Sequence, residues 1–386
     1  MQFSTAERLS EVPARDWNRL AGDDNPFVRH EFLAALERQG CLGDRFGWWP
    51  RHLLVHDGDR LVAAAPAYLK DNNYGEFVFD HGWSEAYARA GLPYYPKLVV
   101  AVPYTPVTGP RLLVDPEAGP AAVDALLAGA IDLVERSGLS SLHWLFCDEP
   151  TTGTLEAHGL SQRVGCQFHG PNPGYRDFQD FLDTLTSRRR KEIRRERREV
   201  ERQRIEVRVF SGHEAGAAEW DAMHAFYEAT FERKWGVPTL SRGFFEEIGA
   251  ELPAAVALVL ARKDGRYVAG AFNLVGRRRL YGRNWGTTGF FPGLHFEVCY
   301  YRLIEFCIDR GLEVFEAGAQ GEHKVARGFL PRATRSVHWI RHPGFRSAVA
   351  DFVRRERRAV EAYMAEVLEH SPYRQADEES RSSPKG

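Results

Sequence analysis

Apolar positions from Leu294 onward fall at helical spacing, with Val298, Cys299, Leu303, Phe306 and Cys307 on one face. Gly311 ends that helix, because glycine takes the left-handed conformation that closes helices. Leu312, Val314 and Phe315 predict a short buried strand over 312–316. The turn Gly318-Ala319-Gln320-Gly321 leads into a second helix, predicted over 322–328, whose first turn bunches Glu322, His323 and Lys324. An acid suits the positive end of a helix dipole, whereas two cations do not. A strand end that delivers Gln320, Glu322, His323, Lys324 and Arg327 to one place is the chain's strongest candidate for chemistry.

The same order of elements occurs twice. Leu53 to Tyr68 and Leu258 to Phe272 each read as strand, Asp-Gly turn and strand. A helix precedes each hairpin, over 31–37 and 243–248. Each hairpin is followed by a strand, a glycine-containing loop, a long helix, a strand, a short helix and a last strand. The last four span about 121–136, 141–146, 152–158 and 161–169 in the first half. Their counterparts span about 294–310, 312–316, 322–328 and 335–341. This repetition predicts two similar α/β units.

Composition narrows the class. A chain of 386 residues suffices for two or three domains with cores of their own. Apolar residues at 44% and charged residues at 27% are ordinary for a soluble protein. A net charge of −2 argues against nucleic-acid binding through the field of the whole molecule. The five cysteines (Cys41, Cys147, Cys166, Cys299 and Cys307) form no Cys-x-x-Cys, and Cys299 and Cys307, on an apolar helix face, read as core thiols, which favours a reducing cytoplasm. No His, Cys, Asp or Glu set has metal-ligand spacing. The expectation is a cytoplasmic protein without signal peptide or membrane span, ending in a disordered tail over 375–386.

Helix, hairpin, strand, loop, helix, strand, helix, strand is the order of a GNAT-type acyltransferase domain. Two in tandem resemble the FemAB-like group, which attaches amino acids to peptidoglycan precursors. The segments NPFVRHEFLAALE, GWWPRHLL, YYPKL, PYTPVTGPR, LHFEVCYY and GAQGEHKVARGF are similar to one FemAB-like family, described as peptidoglycan biosynthesis or recognition proteins. The resemblance runs to about Pro343. It implies an α/β fold of two tandem GNAT-like domains, mixed sheets flanked by helices, over 1–172 and 173–345. An amphipathic helix over 346–374 follows. It also implies an acyl- or aminoacyl-transferase acting on an amine of a polar acceptor, such as a muropeptide. The donor would be acyl-CoA or aminoacyl-tRNA, with no tightly bound cofactor. The alternative is a non-catalytic module of this fold that recognises a peptidoglycan fragment or peptide.

GNAT domains hold the acyl-CoA pyrophosphate with backbone amides in a Gln/Arg-x-x-Gly-x-Gly/Ala loop. Arg283 and Gly286 fit that pattern, while Thr288 stands where a residue without a bulky side chain belongs. The same residues read equally as a turn that needs glycine for backbone freedom. His295 and Glu297 open the helix beyond, whose N-terminus favours an anion. Acyl transfer to an amine needs a stabilised oxyanion and proton transfers to and from the reactants. Lys324, which by the resemblance falls where FemAB transferases carry a lysine, and amides beside Ala269-Gly270-Ala271 are candidates for the first task. His323, Glu322, His295 and Glu297 are candidates for the second, histidine because it titrates near neutral pH. In the first half, Tyr95, Lys97, Tyr104 and Arg111 lie in a stretch dense in proline and glycine, after Asp80, His81 and Trp83. They either line a groove for a sugar, peptide or phosphate, or pack the gap between domains.

Ser187 to Arg204 carries ten Lys or Arg and four Glu, a local charge of +6. Without interleaved aromatics to stack on bases, a solvated helix of Arg-Glu pairs is the expectation. Contact with the phosphates of a tRNA is the alternative. Between Ala348 and Leu368, Val349, Phe352, Val353, Val360, Tyr363, Met364, Val367 and Leu368 recur at helical spacing, so this helix is expected to pack on the body or a partner.

Overall fold

The computed structural model describes residues 1–233, 236–318 and 321–374. Gln320 and the tail expected over 375–386 lie outside the described residues.

The first half opens with β1 (Gln2–Ala6), α1 (Ala14–Ala21) and α2 (His30–Arg38). The expected hairpin is built from β2 (Trp48–Pro50), β3 (His52–Asp57), β4 (Arg60–Ala65) and β5 (Ala67–Lys70). Its turn places Gly58 at φ +59°. Pro66 has no amide to give a ladder, so the second arm breaks there and its two pieces join different sheets. There follow α3 (His81–Arg89), β6 (Lys97–Val100), β7 (Leu113–Val114), α4 (Pro120–Arg136), β8 (Ser141–Cys147), α5 (Glu149–Ala157) and β9 (Ser161–Pro171).

The second half repeats the plan. It runs α6 (Phe178–Thr184), α7 (Ser187–Arg202), β10 (Glu206–Phe210), α8 (Ala217–Glu232), α9 (Arg242–Glu251), β11 (Val256–Lys263), β12 (Arg266–Val275) and β13 (Arg279–Thr287). Then come α10 (Leu294–Phe296), α11 (Arg302–Asp309), β14 (Val314–Glu316), β15 (Leu330–Ile340) and α12 (Pro343–Glu369). In the β11–β12 turn, Asp264 and Gly265 have φ of +47° and +79°, as a two-residue hairpin loop requires. Two elements differ from expectation. A π-helical turn, Glu297–Tyr301, interrupts the long helix between α10 and α11. The segment expected as an α-helix over 322–328 is a 3-10 helix, Glu322–Arg327, bracketed by Gly321 and Gly328 at φ +113° and +91°. The short span between these two breaks favours the tighter winding.

Eleven strands form one sheet in the order β10-β11-β12-β13-β14-β9-β15-β8-β6-β5-β2, and β1, β3, β4 and β7 form another. At the centre of the large sheet each half's last strand lies with the other half. Phe315 of β14 pairs with Gly170 of β9, and Trp339 of β15 pairs with Leu142 of β8. The exchanged strands run antiparallel to each other from Leu330↔His169 to His338↔Ser161. The exchange leaves no open edge at the join, which removes a site for aggregation.

The core crosses between halves too. Phe27 meets Tyr281 and Phe32 meets Phe244 edge to face, with ring centroids 5.2 and 5.5 Å apart. These rings belong to one buried cluster that includes Trp17, Trp48, Tyr227 and Phe272. A second cluster fills the space between β11–β13 and the helices α7 and α11, and a third lies under α4. α12 lies across the exchanged strands, burying Val349 and Val353.

Candidate functional site

β13 and β14 are parallel neighbours over three residue pairs only, ending at Tyr281↔Glu316. Beyond that point they separate. β13 carries a bulge there: Asn273 of β12 pairs with Gly282 and Phe272 with Asn284, so Arg283 is the extra residue. A bulge re-aims its side chain, and the Arg283 guanidinium crosses to the first half, donating to the carbonyl of Tyr104. Burial pushes Arg283 down to about 10. A cavity of about 480 Å³ lies between the halves at this opening. Arg283, Asn284 and Gly318 line it from the second half, and Tyr74, Phe77, Phe79 and Tyr104 from the first.

The first half has the corresponding opening between β6 and β8, which are parallel from Leu98↔Leu142 to Val100↔Trp144. There the chain fills it. Gly109 donates to the carbonyl of Phe146 at 3.0 Å and accepts from the amide of Asp148 at 3.1 Å. Arg111, 1% exposed, donates through Nε to Leu145 O at 2.9 Å and through Nη2 to Val107 O at 2.7 Å. The second half's opening, as the described residues form it, borders the cavity instead.

Lys324 lies just behind that opening, 2% exposed, its Nζ donating to Gly318 O at 2.7 Å. Among the described residues no carboxylate pairs with it. Burial pushes it down to about 8, against a small opposing effect of Cys299. The Tyr300 hydroxyl and His323 Nε2 are hydrogen-bonded at 2.9 Å. The His295 ring lies 5.0 Å from the Trp285 ring and 6.0 Å from that of His323, centroid to centroid. Burial, then the neighbouring His323, Arg327 and Lys324, push His295 down to about 4, so it is neutral at pH 7. Burial, then Lys324 and Arg327, also lower His323.

The structure separates the other expected members. Glu322 accepts from the Tyr363 hydroxyl of α12 at 2.7 Å, away from the opening. Arg327 is bound to Glu196 of α7 at 2.8 and 3.0 Å and stacks over Phe296 at 3.3 Å. Glu297, 4% exposed, is held by Arg197 at 3.1 Å through both nitrogens. Buried and paired, Arg327 and Glu297 anchor α7 through Glu196 and Arg197. Gly286 is likewise corrected from an anion loop to a packing site. It sits in the β12–β13 ladder opposite Gly270, and a Cβ there would fall 1.9 Å from Phe226 O of α8. The Thr288 amide is also taken, by Val268 O at 2.9 Å.

Of the first-half candidates, Tyr104 lines the cavity, its hydroxyl donating to Cys41 O at 2.8 Å. Lys97 and Arg111 are instead buried among protein partners. Lys97 is fully buried and donates to Glu76 at 2.8 Å and Asp80 at 2.5 Å. Tyr95 sits beside it, with Lys97 Nζ 5.4 Å from its ring.

Several residues escaped the sequence reading: Asn284 and the aromatics of loop 71–80, which line the cavity, Tyr300, which holds His323, and Glu316 at the end of β14. Glu316, 3% exposed, accepts from Arg279 at 2.9 Å, while its second oxygen has no partner. Burial pushes it up to about 7. Its only sequence signal was an acid directly after the apolar residues Val314 and Phe315 of a short strand.

On α7 Glu192 and Glu196 are half-buried, Glu201 is exposed, and most cations point outward. Glu196 binds Arg327 and Tyr301, and Glu192 binds Arg189. The exposed Arg188, Lys191, Arg195 and Arg198 form a stripe that, among the described residues, has no acidic partner. Arg-Glu pairing within the helix therefore accounts for only part of the run. Among the described residues no His, Cys, Asp and Glu group is placed to hold a metal ion, and no helix is long and apolar enough to cross a membrane.

Two α/β units in tandem, each with parallel strands that part around a helix, define a tandem GNAT-like protein. The chain belongs to the FemAB-like family described by peptidoglycan biosynthesis/recognition, whose model matches residues 8–375. The crystal structure of FemX superposes with a TM-score of 0.53 at 12% identity, covering 91% of this chain and 100% of that one. L-PGS from Bacillus licheniformis superposes with the same score and identity, covering 88% of this chain and 96% of that one. At such identity the likeness is one of fold. No curated protein sequence matches significantly.

Proposed function

We propose that the protein transfers an acyl or aminoacyl group to an amine of a polar acceptor, a muropeptide being the acceptor class that the family suggests. One observation carries the reading: the second half's opening, as the described residues form it, meets a cavity of about 480 Å³ and has the Lys324 ammonium directly behind Gly318. The acceptor amine attacks the donor carbonyl within this opening. The new C–N bond forms, negative charge develops on the carbonyl oxygen, and Lys324 stabilises it in a site of low dielectric. The amine gives up its proton to solvent in the cavity, because His323, bonded to Tyr300, lines a different cavity with Glu322 and Tyr363. The bond to the leaving sulfur or oxygen breaks, and a proton from solvent passes to the leaving group. The β13 amides engaged with β12 favour an aminoacyl ester over acyl-CoA as donor.

The test is thermal stability against acyl-CoAs, free CoA, charged tRNA and muropeptide precursors, followed by mass analysis of acceptor products. Ligands that bind the folded state raise its melting temperature. A donor-dependent shift with a product heavier by one acyl or aminoacyl group supports the reading. A shift with muropeptide alone, and no product with any donor, replaces it with a recognition module.

A further inference from the structure

Among the described residues, the cavity of about 480 Å³ between the halves has no Asp or Glu in its lining, and Arg283 is its one Arg or Lys. The side chain itself stands there. Its guanidinium donates to the carbonyl of Tyr104 on the opposite wall. Burial lowers the guanidinium's affinity for its proton, and the nearby Tyr227 phenol, from the same lining, opposes that effect. Asn284 follows Arg283 in the chain and lines the same cavity.

Three observations point to an anion as its partner. First, Arg283 is unsaturated. Among the described residues Tyr104 O is its one hydrogen-bond acceptor and no carboxylate pairs with it, because the neighbouring Glu316 is bound by Arg279 at 2.9 Å. None of its nitrogens is both buried and unpartnered, so the remaining N–H groups are open to the cavity. Second, the contact is built from two departures from regular backbone. Arg283 is the extra residue of the β13 bulge, and Tyr104 holds φ of +58°. Bulges re-aim side chains beside functional sites, and a bulky residue keeps such a φ only where its direction is used. Third, Arg283 flanks the opening. It follows Gly282, whose carbonyl oxygen a Cβ on Gly318 would meet at 3.5 Å. Lys324 thus stands behind Gly318, and Arg283 stands on the cavity side.

We propose that Arg283 anchors an oxyanion of the acceptor, a carboxylate or a phosphate, so that the cavity selects acidic acceptors over their neutral counterparts. The planar guanidinium offers paired N–H groups that match two oxygens of either anion. A half-buried cation without a counter-charge weakens the fold, and a ligand that supplies the charge offsets that cost. Tyr74, Phe77, Tyr104 and Phe231 leave the rest of the lining apolar enough for the ligand's uncharged part. Calling this ligand the acceptor rests on the transferase reading, on which the held anion brings its amine to the opening beside Gly318. Arg283 thereby serves the acceptor, and not the donor loop that its sequence pattern suggests.

Phenylglyoxal, which couples to the uncharged guanidine, reads the site in the full chain at mildly alkaline pH, residue by residue, by mass spectrometry. Arg15, whose side chain is 93% exposed, is the reference. The probes are inorganic phosphate and N-acetyl-alanyl-alanine in its L,L and D,D forms, each peptide as free acid and as C-terminal amide. At least one anion is expected to slow labelling of Arg283 by about fivefold or more relative to chloride at equal ionic strength, with Arg15 unchanged. The amides do not protect. Protection by a free acid assigns a carboxylate and protection by phosphate alone a phosphorylated acceptor, and both uphold the anchor. The protecting anion is also expected to raise the melting temperature of the parent and of Arg283→Lys, and not that of Arg283→Gln. An unreactive Arg283, equal protection by acid and amide, no protection from any anion, or a thermal shift that survives in Arg283→Gln overturns the proposal. Labelling of the parent decides even where a variant does not fold. Protection without transfer removes the transferase reading and leaves an anion site, whereas transfer without protection removes the anchor alone.

Discussion

Lys324 Nζ donates to the carbonyl oxygen of Gly318 at 2.7 Å, and Gly318 is part of the wall of the cavity between the halves. An ammonium group with a backbone carbonyl as its partner is poorly stabilised in the interior, which is why burial lowers its affinity for the proton to about 8. The arrangement weakens the fold and keeps a hydrogen-bond donor ready for developing negative charge.

That conflict is measurable. Lys324 has a folded value of about 8 against an ordinary 10.5, so the unfolded chain binds more protons between them. Stability therefore rises with pH across that window, and at neutral pH the buried charge costs on the order of 1–3 kcal/mol. Lys324→Met is expected to raise the urea midpoint at pH 7, flatten the alkaline rise, and lower kcat by about 10²-fold or more. A destabilised Lys324→Met with full turnover would refute the assignment.

Glu316 has the opposite sign. Its carboxyl is raised from 4.5 to about 7, so the stability it contributes is complete below 4.5 and lost as pH rises through about 7. Glu316→Gln is expected to unfold with little pH dependence from this site and to exceed the parent at pH 8 by on the order of 1–3 kcal/mol. Thermal unfolding at pH 5 and pH 8 checks it; parallel pH profiles would show that Glu316 does not titrate there.

Gly286 separates a packing site from a phosphate loop. With a Cβ 1.9 Å from Phe226 O, Gly286→Ala is expected to cost about 2–4 kcal/mol by forcing α8 off β13. Denaturant unfolding decides: normal stability with weaker donor binding would restore the loop reading.

Lys97→Met would leave Glu76 and Asp80 buried without their cation. The expected loss is about 3–5 kcal/mol, with faster hydrogen exchange over loop 71–80, whose Glu76 and Asp80 it anchors. Tyr95→Phe, at a partly exposed ring, is expected to change stability by no more than about 0.5 kcal/mol. Equal effects of the two would mean that Lys97 does not tie the loop down.

The two hairpins, the long helix with its glycine stop, and the order of seven elements were legible because each is written in local periodicity and turn chemistry. Asp264-Gly265 needs no distant partner to turn a chain. Charge clusters were not legible in the same way. Glu322, Lys324 and Arg327 are neighbours in sequence, yet in the fold one goes to Tyr363, one to Gly318 and one to Glu196. Side chains a few residues apart on a 3-10 turn point in different directions, and what each meets is set by α7, α12 and β14.

The sequence by itself determined that there are two α/β units of one plan, and that the region around Lys324 carries unusual charge. Tertiary structure alone decided that β9 and β15 trade places, that Arg111 closes one opening while a cavity borders the other, and that Arg283 reaches Tyr104. The reason is range. Strand and helix follow from dihedral preferences and apolar spacing over a few residues, whereas the burial and pairing of a polar group depend on segments more than a hundred residues away, as with Arg327 and Glu196 or Arg283 and Tyr104.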